Sequence, residues 1–147
     1  MIQFILIQNT ASVTRLAKWY VPLTHEEKLS LQQQVYRAVH NRPATSTNFL
    51  EFKNYKLVYR RYKDLYFIFC IEHHDNELSI FEAIHHCVEI LDQYFQRATG
   101  NPVSELSIQF SFYKVYLLLD EMFAGGEIVE TGSEVCLGAM SLLDNAK

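Results

Sequence analysis

Two clusters hold the densest chemistry-bearing side chains of this sequence, His73-His74-Asp75 and His85-His86-Cys87. Imidazole, carboxylate and thiolate are the groups that ligate zinc. A zinc site, however, needs four of them converging tetrahedrally, usually as spaced pairs on a turn or one helix face. Adjacent residues point about 100° apart on a helix and to opposite faces on a strand, so neither cluster supplies a convergent set. No metal site is expected. Nucleophilic chemistry finds no better footing. Cys70 stands among apolar neighbours and Cys87 beside Val88, settings in which a thiol is buried and inert. No GxSxG elbow occurs. Glu72, Asp75, Glu77 and Glu82 gather where a turn and a helix start use acids for capping and for the helix dipole. The chain reads as a non-enzyme, with no catalytic residue and no cofactor.

The run Lys53, Lys56, Tyr59, Arg60, Arg61, Tyr62, Lys63 carries the residue types of a nucleic-acid surface, where rings stack on bases and cations meet phosphates. On a strand Arg60 and Arg61 face opposite sides, so the run cannot form one patch. The formal net charge of −4 also argues against nonspecific nucleic-acid binding and against a surface that binds membranes alone. A solvated strand with some salt bridges is expected, phosphoinositide contact being the alternative. Arg15 differs in kind. It lies in a segment rich in apolar neighbours, and its planar, always-charged fork suits a carboxylate. That carboxylate is either an acid of this chain or one brought by a ligand.

The elements that position these side chains follow from periodicity. Met1–Gln8 is apolar on both faces, as in a central strand covered on both sides. Asn9–Ser12 is a polar turn, and Val13–Val21 returns antiparallel. Thr24 and Glu27 form a capping box that opens a helix through about His40, with Leu31, Val35 and Val39 inward, and Pro43 closes it. Phe49–Phe52, Leu57–Tyr62 and Leu65–Ile71 form a three-strand meander broken at Lys53-Asn54 and Lys63-Asp64. Asp75 or Asn76 caps a second helix whose stripe is Phe81, Ile84, Val88, Leu91 and Phe95, and Gly100-Asn101-Pro102 forces a turn. Leu106, Ile108, Phe110 and Phe112 alternate like a strand, while the stretch from Phe112 on is too continuously apolar to assign by period. Ser133–Leu143 forms a last short helix with Cys136, Met140 and Leu143 inward. The order implies an α+β fold, an antiparallel sheet with helices packed on it.

At 147 residues the chain is expected to be a single domain, residues 1–147, burying roughly two-thirds of its unfolded surface. Its 49% hydrophobic and 14% aromatic content excludes a disordered chain. Three scattered cysteines without a CxxC favour reduced thiols in the cytosol. The apolar start lacks the basic lead and cleavage site of a signal peptide, and no run reaches the length of a membrane span.

Four blocks in order, MIQFILIQN at Met1–Asn9, TRLAKWY at Thr14–Tyr20, NFLEFKNYKLVYRRY at Asn48–Tyr62 and FYKVYLLLDEMFAGGEI at Phe112–Ile128, resemble the small (sigma) subunit of clathrin adaptor complexes. FYKVY and DEMF resemble the endocytic, plasma-membrane type. DNEL at Asp75–Leu78, ILDQYF and Gly125-Gly126 resemble the Golgi and endosomal paralogue, which stays the alternative beside a purely structural longin-type module of a coat or tethering complex. The resemblance implies a longin-like (SNARE-like) α+β fold, a five-stranded antiparallel sheet flanked by helices, with helix over Glu105–Phe123. It implies a heterotetramer with alpha-type and beta-type large subunits and a medium (mu) subunit. Clathrin and the membrane would then be reached through the complex, at the cytosolic face of coated pits. It further implies recognition of acidic dileucine signals, acid-x-x-x-Leu-Leu/Ile, in cargo tails. Arg15 would attract the acid, and Leu65, Val88, Val103, Leu106 and Ile108 would line the leucine pockets. Lys63 departs from the family pattern, which has a small residue there, and the Gln96–Ser104 connection is longer than the family's.

Overall fold

The computed structural model describes residues 1–43 and 45–128, together with Gly138. The helix expected over Ser133–Leu143 lies outside the described residues. The chain divides into two compact units, Met1–Phe81 and Glu82–Lys147.

The first unit holds β1 (Ile2–Asn9), β2 (Thr14–Trp19), α1 (His25–His40), β3 (Phe49–Phe52), β4 (Tyr55–Tyr62) and β5 (Leu65–Glu72). The five strands form one antiparallel sheet in the order β2-β1-β5-β4-β3. Every residue of β1 is buried, as its doubly apolar sequence requires of a strand flanked on both edges. The meander appears as expected, except that β4 begins at Tyr55 rather than Leu57. Phe52 pairs directly with Tyr55, so Lys53-Asn54 is the entire turn, with Lys53 left-handed at φ 55°.

The capping box of α1 is present. The Glu27 N–H donates to Thr24 Oγ1 at 3.2 Å, and Glu27 Oε1 accepts from the Thr24 N–H at 3.1 Å. Val35 and Val39 of α1 join Phe4, Leu6, Leu57, Tyr59, Ile68 and Cys70 in one buried cluster, with Leu31 packed partly against it. Truncating a residue such as Leu6 or Ile68 to Ala is expected to cost about 2–5 kcal/mol. Phe4 and Leu6 of β1 and Ile68 and Cys70 of β5 thus face α1, and the alternate residues of β5, Leu65, Phe67 and Phe69, take the other face.

A helix α2 (Glu77–Thr99) begins in the first unit and runs into the second. Asn76 caps it, its Oδ1 accepting from the Leu78 N–H at 2.9 Å, while Lys56 Nζ pairs with Glu77 Oε2 at 2.6 Å. Ile84, Val88, Leu91 and Phe95 of the expected stripe are buried. Phe81 is only half-buried, and Cys87, Ile90 and Tyr94 widen the apolar face. Past Gly100, which is left-handed at φ 78°, the single helix expected over Glu105–Phe123 is two: α3 (Glu105–Phe110) and α4 (Phe112–Met122). Ser111, at φ −127° and ψ 36°, leaves helical geometry between them. Beyond α4, β6 (Phe123–Ala124) and β7 (Glu127–Ile128) form a small ribbon turning on Gly125-Gly126.

Candidate functional site

Arg15 is the extra residue of a β-bulge. In the β1–β2 ladder Leu16 stands opposite Ile7, yet Thr14 stands opposite Gln8, with the register shift between Ile7 and Gln8. An uninterrupted ladder would place Arg15 opposite Gln8, toward α1. The bulge gives that place to Thr14 and re-aims the half-buried arginine. β2 is an edge strand, where bulges are favoured.

Local side chains build this turn. Asn9 Oδ1 accepts from the N–H groups of Ala11 and Val13 at 2.9 and 3.0 Å. The Asn9 N–H donates to the Val13 carbonyl at 2.9 Å, and Ser12 takes φ 67°. Asn and Ser supply such local bonds at low cost. The Tyr36 hydroxyl of α1 donates to the Thr10 carbonyl at 3.2 Å, anchoring the loop. Gln8 is fully buried; its Nε2 donates to Thr14 Oγ1 at 3.2 Å and to the Gln32 carbonyl of α1 at 3.0 Å.

Leu65 opens β5 opposite Asn9 of β1 and Tyr62 of β4, with its side chain buried. Since Tyr66 faces Gln8, and Gln8 faces Thr14, Arg15 and Leu65 lie at one end of the sheet, two strands apart. That spacing is about 10 Å.

The other four expected residues belong to the second unit. Val88 sits on the buried face of α2, one turn before Asp92. Asp92 Oδ1 accepts from the Val103 N–H at 2.9 Å and so fastens the connection that leads into α3. Ser104 and Ser107 then exchange reciprocal capping bonds at 3.3 Å. Val103 and Ile108 are fully buried, whereas Leu106 is 64% exposed. On this short helix the residues two apart cannot share a face, so the alternation in Leu106 and Ile108 separates them.

The reactive types stand as follows. Burial pushes the Cys70 thiol up to about 12, far from a nucleophile's range. His73 Nε2 meets Glu51 Oε2 at 3.2 Å and His74 Nε2 meets Glu72 Oε2 at 3.2 Å, while His85 pairs with Glu89 along α2. Glu72, His74 and Asp75 do bring three ligand atoms within 4.8 Å of one another. The Met1 ammonium pairs with the two acids among them, with Glu72 Oε2 at 3.2 Å and with Asp75. Burial works against the charge of Asp75, but its bonds to that ammonium and to the Glu72 N–H hold its carboxyl below the usual range.

The basic run divides as its alternation requires. The Arg60 guanidinium lies over the Phe81 ring at 4.4 Å, and that of Arg61 over Tyr66 at 5.5 Å. Sequence reasoning did not find a recess of about 260 Å³ on the α1 side of β4 and β5, lined in part by Arg42, Tyr59, Arg61 and Tyr66. Arg42 follows α1 in a polar loop, and nothing in its neighbours links it to a strand some twenty residues on. Among the described residues, no helix is long and apolar enough to cross a membrane.

Comparison with known proteins places this architecture. The pattern of the clathrin adaptor complex small chain matches residues 1–147. The AP-2 complex subunit sigma of Neurospora crassa is 51% identical over 145 residues, 98% of either chain. The AP-1 complex subunit sigma-2 of Dictyostelium discoideum is 45% identical over 141 residues, covering 96% of this chain and 88% of the relative. In three dimensions the chain matches one from a homology model of the full-length AP-3 complex in a stretched open conformation. That match has a TM-score of 0.75 at 27% identity and covers 99% of this chain and 95% of the other. The five-stranded sheet with its helices is thus the longin-like α+β fold of an adaptor subunit, and the chain belongs to the clathrin adaptor complex small chain family, whose members are non-enzymatic subunits.

Proposed function

We propose that this chain is the small subunit of the endocytic clathrin adaptor heterotetramer, where it stabilises the core and reads acidic dileucine signals in cargo tails. Its partners would be the alpha-type and beta-type large subunits and the medium subunit, with clathrin and the plasma membrane reached through the complex. The match to the small-chain family over residues 1–147 supports reading the whole chain as one small-chain domain. The likeness to AP-2 sigma at 51% identity favours the endocytic assignment. The AP-1 sigma-2 likeness at 45% supports the Golgi and endosomal reading as the second.

The observation that carries peptide recognition is the Arg15 bulge at the same end of the sheet as Leu65. An acid and the first leucine of acid-x-x-x-Leu are separated by about 13 Å in an extended peptide, against about 10 Å for two strand spacings. The arginine fork then meets the acid, and the resemblance to the family assigns the leucines to Leu65, Val88, Val103, Leu106 and Ile108. Leu65, Val103 and Ile108 present almost no surface, so leucine entry requires local opening there. Burying two leucines at ~1.5–3 kcal/mol apiece, less the costs of association, gives micromolar-class affinity. Multivalent coat assembly supplies the rest of the selectivity.

Affinity capture from cytosol followed by mass spectrometry tests the assignment. Alpha-type large subunits and clathrin are expected. Gamma-type large subunits would move the chain to the Golgi and endosomal complex, and coatomer or tethering factors would overturn both readings. Calorimetry of the captured complex with an acidic dileucine peptide tests recognition itself.

A further inference from the structure

The recess beside α1 lies on the face of the sheet opposite to the one Leu65 takes, and cargo recognition makes no use of it. Its volume is about 260 Å³, and two arginines, Arg42 and Arg61, are among the residues that line it. Each is pinned by neutral acceptors. Arg42 donates from Nε to the Tyr59 hydroxyl at 3.2 Å and from Nη2 to the Thr47 carbonyl at 2.9 Å. Arg61 donates from Nε to the Lys63 carbonyl at 3.0 Å, with its plane over Tyr66. Among the described residues neither meets a carboxylate, although the chain holds 17 acids against 13 lysines and arginines.

Two like charges facing one recess repel each other, and an anion between them converts that repulsion into attraction. Among the described residues, both Nη groups of Arg61 and Nη1 of Arg42 have no acceptor and remain as donors. Because the neutral bonds already fix the forks, little side-chain freedom is lost when a ligand arrives. His40, also at the recess, adds no third charge at neutral pH, since burial and the nearby Arg61 push it down to about 4.

We propose that this recess binds a phosphomonoester dianion, held between the Arg42 and Arg61 guanidiniums. A phosphomonoester matches the pair better than a carboxylate does, because it offers close to two negative charges and three strong acceptor oxygens. Asn48, which also lines the recess and donates to the Tyr59 carbonyl at 2.8 Å, holds the strand wall beneath the two forks.

Calorimetric titration of the full chain, in the assembly in which it purifies, with inorganic phosphate at neutral pH and fixed ionic strength tests this. Saturable binding is expected, with sodium chloride giving none. Arg61→Gln should weaken it by roughly tenfold or more, the loss of one charged hydrogen-bonding group, and Arg61→Lys should keep part of it. Arg61 is exposed, so its replacement should leave the circular dichroism unchanged and shift the melting temperature only slightly, through its turn bond to Lys63 and its contact with Tyr66. Arg42 makes two bonds that hold its loop and is not the residue to replace first. Two further arms, glycerol 3-phosphate in solution and phosphatidylcholine vesicles containing phosphatidic acid, separate a soluble from a lipid-borne ligand. Binding of either that needs Arg61 supports the site. Heats that follow ionic strength alone, no saturable phosphate binding, or binding indifferent to Arg61→Gln would each overturn it.

Discussion

Gln8 and Thr14 are joined by a side-chain hydrogen bond of 3.2 Å across the bulge that re-aims Arg15. The bond is available only in the bulged register, because an uninterrupted ladder would put Arg15 opposite Gln8. The second bond of Gln8 Nε2, to the Gln32 carbonyl, fastens the same point to α1. A buried amide thus links strand register, helix and arginine.

Gln8→Leu is expected to destabilise the chain by about 1 kcal/mol, since it removes the two bonds donated to the half-buried Gln32 carbonyl and Thr14 hydroxyl. The cost is offset in part by the loss of the buried Gln8 Oε1, which has no partner among the described residues. Thr14→Val should cost about 1 kcal/mol. Denaturant unfolding gives the stabilities, and cross-strand amide contacts by nuclear magnetic resonance give the register. A Gln8→Leu variant of unchanged stability that still pairs position 8 with Thr14 would mean that the Asn9 turn alone holds the bulge.

His40 predicts a pH dependence. Its ring lies 4.0 Å from those of both Tyr36 and Tyr66, and burial together with Arg61 lowers its pKa from 6.5 to about 4. Between those values the unfolded chain binds the proton and the folded chain does not. Stability from this group is therefore complete above the unfolded value and falls as pH drops toward 4, by at most about 1.4 kcal/mol per pH unit. His40→Phe should flatten that part of the stability profile measured by urea unfolding. An equal slope in wild type and variant would assign the acid sensitivity to other groups.

The strands and α1 were legible because each carries its own local signal: period two in the meander, the Thr24–Glu27 capping box, and double-sided apolarity in Met1–Gln8. Even the opposed faces of Arg60 and Arg61 followed from alternation. What escaped depends on contacts rather than on composition. The bulge is silent in Thr14-Arg15-Leu16, since only the pairing of Gln8 with Thr14 reveals it. The break at Ser111 has no proline or glycine to mark it, and the β6–β7 ribbon is too short for any period to register. The opposite burial of Leu106 and Ile108 arises once α3 is helical, a state the alternating pattern of that segment did not favour.

If the proposed cargo role holds, Val88→Asp is expected to abolish binding of an acidic dileucine peptide while the chain still assembles with its partners. Val88 is only 6% exposed, and an unpartnered carboxylate there costs several kcal/mol unless it protonates. Calorimetry on the assembled complex checks it, with complex recovery as the folding control. Unchanged dileucine affinity would remove Val88 from the site.

Arg15→Ser should weaken an acidic dileucine peptide more than one carrying Ala in place of the acid. Arg15 is half-buried on an edge strand, so the proposed pair with a peptide acid would fall between two regimes. An exposed ion pair contributes ~0.2–1 kcal/mol, and a well-aligned charge-assisted bond roughly 1.5–3 kcal/mol. The affinity loss is then from a few-fold to about a hundredfold, and it should shrink at high salt, because ions screen partly exposed pairs. A double-mutant cycle in the assembled complex isolates the coupling from any change in the strand itself. Gln8→Leu, which frees the bulge, should reduce the same coupling while Arg15 stays in the chain. Zero coupling between Arg15 and the peptide acid, with assembly intact, would leave the bulged arginine a structural residue of the sheet edge.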